Sequence, residues 1–242
     1  MYRRLLFVAS LALLTACGKD DEPTPDPTTA PISGTVALYD EATTAADKSG
    51  MTVTVEGTTL KATTAADGKF AIANVPFGNK NLVFEKAGYG TFKVFNIDHK
   101  LNNGSGTLLT NTYSLGKLST TTITDLDGTP GTGEYLINPT TSPAASNGSP
   151  KYVRLFFHTA NTVSNTVYTK YSDAYTVRIN PGNITLTKTF LNNLGFTSGS
   201  TIYVRAYGES FWSNNYTDPT LTRDVFPNQN ATSAAAIAIV VP

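Results

Sequence analysis

Ile32-Ser33-Gly34-Thr35-Val36-Ala37-Leu38 puts an apolar or small residue at every second position, with Ser, Thr and Ala between. A period of two sends Ile32, Gly34, Val36 and Leu38 to one face of an extended chain, the pattern of a half-buried strand. The same period recurs outward from this stretch. Met51, Val53 and Val55 alternate with Thr52, Thr54 and Glu56; Phe70 and Ile72 alternate with Lys69, Ala71 and Ala73; Leu82 and Phe84 alternate with Asn81 and Glu85. Asp67-Gly68 falls between two of these runs and predicts a hairpin, while Pro76, Gly78 and Gly88 punctuate the rest. No helical stretch of convincing length is read.

The second half repeats the pattern. Val153, Leu155 and Phe157 alternate with Tyr152, Arg154, Phe156 and His158, and Tyr175, Val177 and Ile179 with Thr176 and Arg178. Ile184, Leu186 and Phe190 alternate with threonines, Ile202, Val204 and Ala206 with Tyr203, Arg205 and Tyr207, and Ile237, Ile239 and Val241 end the chain. Asp125 to Pro150 is rich in Gly, Pro, Ser and Thr and reads either as an interdomain loop or as an ornamented first strand. The expectation is an all-β chain: two β-sandwich domains in tandem, residues 31–118 and 119–242, behind an N-terminal tether.

Several spaced motifs of the first module resemble the carboxypeptidase regulatory-like domain, a small transthyretin-like β-sandwich. They are Ile32-Ser-Gly34-Thr-Val36, Val53-Thr-Val55-Glu-Gly57-Thr58, Ala66-Asp67-Gly68-Lys-Phe70, Val75-Pro76-Phe-Gly78 and Ala87-Gly88-Tyr89. The resemblance implies a structural or binding module without peptidase chemistry, with a carbohydrate-binding-like fold. It is clearest over 32–95. The loop from Asp40 to Gly50 is longer than the family's turn, and 98–118 matches poorly, although Tyr113 and Leu115 are placed to close the sheet. In the second module, Ile184-Thr-Leu186-Thr-Lys-Thr-Phe190, Leu194 and Gly199-Ser-Thr-Ile202-Tyr203-Val-Arg-Ala206-Tyr207 resemble a fibronectin type III-like domain. Ile202 stands where that family often has its corner tyrosine, and the second strand carries no tryptophan, so an immunoglobulin-like variant is equally compatible.

The amino end has a different grammar. Met1-Tyr2-Arg3-Arg4 is basic, and Leu5 to Leu14 is apolar. Ten residues of helix reach only about 15 Å, half a hydrocarbon core, so the segment reads as a signal peptide over 1–16. Leu14-Thr15-Ala16-Cys17 resembles the lipobox of bacterial lipoproteins, which implies diacylglycerol on the Cys17 thiol, cleavage before it and a further acyl chain such as palmitate on the new amine. The alternative is an ordinary secretory signal that contains a cysteine. Lys19-Asp20-Asp21-Glu22 resembles a surface-export signal, or is a plain solvated linker. Pro23, Pro25, Pro27 and Pro31 make residues 17–30 a flexible, disordered tether. These readings predict an outer-membrane lipoprotein exposed on the cell surface, held to the membrane through lipid.

Cys17 is the only cysteine. Once acylated it leaves no thiol for a disulfide or a nucleophile. Removing sixteen residues from 242 leaves 226, with sixteen basic against eighteen acidic side chains. No basic stripe occurs, which excludes nucleic acid as a partner.

No catalytic constellation is read. His99 and His158, the two histidines, lack ligand-spaced neighbours, so neither a metal site nor a cofactor is expected; His158 reads as a surface or edge residue. Ser114-Leu115-Gly116-Lys117 fits a Ser-x-x-Lys spacing without the companion motifs. Asp125-Leu126-Asp127-Gly128 vaguely resembles a calcium loop but lacks the next ligand, and reads as an Asp-Gly turn. One stretch stands out. Gly208 to Asp218 opens a long segment without period-two patterning, up to about Thr232, and holds Phe211, Trp212, Asn214, Asn215 and Tyr216 among the carboxylates of Glu209 and Asp218. Aromatic faces among amides can stack on a sugar or anchor a protein interface; the same aromatics can instead fold back and plug one end of the sandwich. The expected function is a non-catalytic binding or accessory module for a glycan or surface protein. The alternative is a structural subunit or scaffold of a surface assembly, such as a fimbria-like polymer, that offers the uncharged strand Ala235 to Val241 for strand addition.

Overall fold

A computed structural model describes residues 26–102 and 104–242. The signal segment, Cys17 and most of the tether lie outside the described residues. No helix among them is long and apolar enough to cross a membrane.

The chain is all-β, built as sandwiches. In the first, β4 (Lys69–Pro76), β1 (Thr29–Tyr39) and β7 (Thr107–Gly116) form one sheet in that order. β3 (Lys61–Thr63), β2 (Thr52–Val55), β5 (Gly78–Glu85) and β6 (Phe92–His99) form the other. The alternating residues of β1 behave as the period requires: Ile32, Val36 and Leu38 are fully buried, against Val53, Leu82 and Phe84 of the facing sheet and Met51 just before it. Each such side chain contributes roughly 1.5–3 kcal/mol. β7 joins β1 in parallel, with Tyr113 opposite Val36 and Leu115 opposite Leu38, so the poorly matching segment does close the sheet.

Asp67-Gly68 does not make a hairpin. The strands on either side belong to different sheets, β3 beside β2 and β4 beside β1. The turn closes only the local loop from Ala65 to Lys69. Gly68 then offers its carbonyl to the Val36 amide at 2.9 Å; its φ of +84°, and a Cβ that would come within 2.2 Å of the Val36 oxygen, explain the glycine.

In the second sandwich one sheet is β13 (Ile184–Thr187), β9 (Glu134–Ser142) and β8 (Thr122–Gly131). In the other, β10 (Lys151–His158) pairs with β11 (Lys170–Tyr171) and β12 (Tyr175–Val177) on one side and with β14 (Thr201–Glu209) on the other; β17 (Ile237–Val240) then forms the edge beside β14. Asp125 to Pro150 is thus not an interdomain loop: most of it is the β8–β9 hairpin, with β8 the first strand of this sandwich. Asp125 and Asp127 sit on a strand flanking buried Leu126, paired with Thr140 and Asn138, which overturns both the calcium-loop and the Asp-Gly-turn readings. Tyr175–Val177 ends before Ile179, which is 55% exposed. Phe190 is not on a strand. Thr187 stops β13 by capping α1 (Lys188–Asn193), its side chain accepting from the Phe190 amide.

β10 departs most from simple alternation. Val153, Leu155 and Phe157 face the main core, yet Arg154 and Phe156 on the opposite face are buried as well. Phe156 joins Val163, Tyr207 and Phe226 in a second, smaller core, with Tyr168 and Tyr171 packed against it. The segments after β10 and β14 cover a face that alternation alone assigns to solvent.

Candidate functional site

The residues between β14 and β17 form this site. They include a short hairpin, β15 (Tyr216–Asp218) with β16 (Arg223–Val225), so the stretch is not one open loop. Trp212 and Tyr216 pack across to the first sandwich, whereas the Phe211 and Phe226 rings pack on their own. The Trp212 ring stacks on Tyr39, the last residue of β1, with centroids 4.8 Å apart. Tyr216 meets Phe92 and Phe95 of β6 at 5.8 and 5.9 Å.

Asn214 does what a neighbouring strand would do. Its carbonyl oxygen accepts from the Gly116 amide at 2.8 Å and its amide donates to the Ser114 carbonyl at 2.5 Å. One side chain thereby satisfies two main-chain groups on the free edge of β7. Asn228 holds it there, donating to Asn214 Oδ1 and to the Trp212 carbonyl. Asn228 also accepts at its own carbonyl from the Ser119 amide at 2.8 Å. Asn215 is exposed. Of the five residues singled out from sequence, Trp212, Asn214 and Tyr216 make side-chain contacts between the sandwiches, while Phe211 does so only through its main chain and leaves its ring 46% exposed.

A cleft of about 270 Å3 lies between the two sandwiches, with Phe211 packed behind two of its lining residues, Glu41 and Tyr152. Asp40 and Glu41 line it from the first, Thr121, Lys151, Tyr152 and Glu209 from the second. The Phe211 amide donates to the Glu41 carbonyl at 2.9 Å, and its ring meets Tyr152 edge to face at 5.6 Å. Glu41 binds the Thr120 amide and hydroxyl at 2.8 and 2.6 Å, and Asp40 caps its own turn through the amides of Ala42 and Thr44. The walls are therefore held by hydrogen bonds from both sandwiches.

Glu209 forms the floor, 1% exposed. It accepts from Arg154 Nε at 3.0 Å and from Gln229 at 3.2 Å. Burial pushes its carboxyl above the ordinary glutamate range, and Arg154 pulls it back. The Arg154 guanidinium lies 4.7 Å from the Phe226 ring centre and 5.7 Å from that of Tyr171. Burial raises the Tyr152 hydroxyl above its usual value, an effect that Arg178 partly offsets and Asp40 reinforces.

Sequence reasoning missed Asp40, Glu41 and Tyr152 as partners of Glu209, which lay within the stretch it singled out; the adjacent pair Asp40-Glu41, Tyr152 and Glu209 are far apart along the chain. The signal for Glu209 and Arg154 was present in one form: each puts a charge inside an otherwise strand-like run. A second, more open groove of about 390 Å3 runs past Tyr168, Tyr171, Arg223 and Asp224. There the Asp224 carboxylate accepts from the Tyr171 hydroxyl and from Thr217. Burial first, then that carboxylate, pushes the Tyr171 hydroxyl up to about 12.

His99 is fully buried in the first sandwich, its Nε2 3.0 Å from the Val75 carbonyl and its Nδ1 2.9 Å from the Thr107 hydroxyl. A carbonyl only accepts, so Nε2 carries a proton. Among the described residues no group of three or more His, Cys, Asp or Glu is gathered as metal ligands would be.

No family model matches the chain, and no curated protein matches it. The carboxypeptidase regulatory-like and fibronectin type III-like resemblances therefore stand on their motifs. Similar solved structures include a putative carbohydrate-binding protein from Bacteroides uniformis, with 12% identity over 88% of this chain and 99% of that one at a TM-score of 0.30. A DUF3823 family protein from Parabacteroides merdae shows 11% identity over 88% and 100%, also at 0.30. A chain of a type II cohesin–X-dockerin complex from Acetivibrio cellulolyticus shows 24% identity at 0.32, over 36% of this chain and 58% of that one. At such TM-scores none of these likenesses carries an argument about function.

Proposed function

We propose that this chain is a non-catalytic binding lipoprotein of the outer-membrane surface, anchored through lipid on Cys17, whose inter-sandwich cleft takes a sugar unit of a glycan. The observation that carries the reading is the cleft itself. Carboxylates, hydroxyls and one ammonium on its walls suit the hydroxyls of a sugar, and Tyr152 on its wall, backed by the Phe211 ring, supplies aromatic surface. Its volume lies just under the usual range of about 300–1,000 Å3 for small-molecule sites, which suits a single ring better than a long chain.

Titration calorimetry against a panel of oligosaccharides tests it. Phe211→Ala and Tyr152→Ala are expected to abolish heat from whichever sugar binds. Binding that survives both changes refutes the cleft as the site. The anchor is tested separately by Cys17→Ser, expected to move the protein out of the membrane fraction. An unmodified amino end in the mass spectrum of the membrane-bound wild type refutes the anchor.

A second reading, a scaffold subunit that assembles by strand addition, is favoured by one observation. β17 is an uncharged sheet edge whose Val240 is 54% exposed. Ile239 and Val241 are buried in the sandwich's own core, so deleting the strand removes core as well as edge. Val240→Lys is the cleaner test: lost concentration-dependent polymerisation favours this reading.

A further inference from the structure

The end of the first sandwich opposite the cleft carries unpaired apolar surface where the chain arrives from its amino terminus. Leu108 is 66% exposed at the start of β7, beside Ser33 of β1. Leu101, 41% exposed, follows β6 in the turn that leads to β7, a turn held by mutual hydrogen bonds between Asn102 and Ser105. Gly106 lies directly under the Pro31 carbonyl, where a Cβ would come within 1.9 Å, so this turn wraps the first residues of β1. Pro31 and Pro76 are exposed at the same end, Pro76 sits opposite Thr29, and the Phe77 amide donates to the Thr28 carbonyl at 3.3 Å.

We propose that this end is a seat for the lipid surface, with Leu101 and Leu108 dipping into the interfacial layer. The proposal rests on the lipid-anchor reading of Cys17. The occupant follows from chain length: Thr29 is only twelve residues beyond Cys17, and a fully extended chain spans at most about 3.3–3.6 Å per residue. An acylated Cys17 therefore keeps this end within roughly 40 Å of the bilayer.

Two leucines do not hold a free protein on a membrane, but on a short tether the second contact is intramolecular and a weak one suffices. Charge attraction is not what draws this end down: Lys100, the cation nearest the leucines in sequence, is paired with Asp98 at 2.5 Å. Seating has a geometric consequence. β1 runs eleven residues from this end to Tyr39, beneath Trp212; at about 3.3 Å per residue the cleft stands some 36 Å above the seat.

The test uses the full acylated protein in phosphatidylethanolamine–phosphatidylglycerol vesicles. Acylation occupies Cys17, so Leu108→Cys offers a unique thiol for an environment-sensitive fluorophore. Val240→Cys, at the remote end of the second sandwich where β17 pairs with Thr201, is the control. The expected result is a blue-shifted emission quenched by brominated acyl chains at position 108 and a water-like emission at 240. Vesicle-bound protein whose two labels behave alike overturns the seat and leaves the anchor standing. Protein that does not float with vesicles at all overturns the anchor and the seat with it. Leu101→Asp combined with Leu108→Asp changes only exposed side chains; it is expected to keep flotation while making the tether more readily cut by protease, and an unchanged cleavage rate counts against the seat.

Discussion

The two sandwiches solve the same packing problem with different chemistry. Among the described residues the first buries two polar side chains, Thr64 and His99, whereas the second and its approaches bury ten, from Ser119 to Gln229. The difference follows from what covers each sheet. The first sandwich has two sheets facing each other, so main-chain groups are met by ladder bonds and side chains need only be apolar. In the second, a largely irregular chain from Ser210 to Asn230, broken by the β15–β16 hairpin, is laid against β10, β14 and the first sandwich. Irregular backbone that is buried must find partners outside a ladder, and Ser210, Asn214, Asn228 and Asn230 supply them, bonding to Lys117, Ser114, Trp212 and Ser119.

The sharpest way to break the comparison is the buried ion pair. Arg154→Ala leaves Glu209 in the interior without its cation and is expected to cost about 3–5 kcal/mol, read as a fall in the midpoint of chemical denaturation. Arg154→Met, which keeps the stem over Phe226, with Glu209→Gln in the same chain should recover most of that loss, because it removes both charges together.

In the first sandwich the matching experiment is Leu38→Ala. Leu38 is fully buried against an apolar core, and the expected cost is about 2–5 kcal/mol, set by how far the cavity collapses. The contrast lies in the rescue: no polar partner change restores it, since only volume is missing.

Sequence reasoning reached these two regions unequally, for a physical reason. Alternation reports one thing, which face of a strand meets apolar surroundings. It placed Ile32, Val36, Leu38, Val53 and Phe84 correctly because two sheets are all that packs there. It misplaced Arg154 and Phe156, whose face is covered by segments distant in sequence, and it left β8 open between a loop and an ornamented first strand because Gly128, Pro130 and Gly131 carry turn composition onto a sheet edge. The aromatic stretch was visible as composition, but its destination was not. Trp212 and Tyr216 needed the positions of Tyr39 and Phe92, which nothing local encodes. The cleft is assembled from four separate parts of the chain, around Asp40, Thr121, Tyr152 and Glu209, and left no motif.

Asn214 sharpens the comparison at the seam. Replacing it by Ala strips the β7 edge of its two side-chain partners and is expected to cost about 1–3 kcal/mol, the usual penalty for buried groups left unmet. Hydrogen exchange should localise the effect, with faster exchange at the Gly116 amide and little change at Val53.

The smallest expected effect is a slope. The folded Glu209 carboxyl titrates above its ordinary value of 4.5, so across the window from there upward the native state holds more of a proton than the unfolded chain. By linkage, this group's contribution to stability is greatest below that window and falls as pH rises through it. Glu209→Gln removes the titration and should flatten the pH dependence of the denaturation midpoint over that window. An unchanged slope would mean that Arg154 and Gln229 fully offset the burial of the charge, and the second sandwich would then bear its polar interior at no greater cost than the first bears its apolar one.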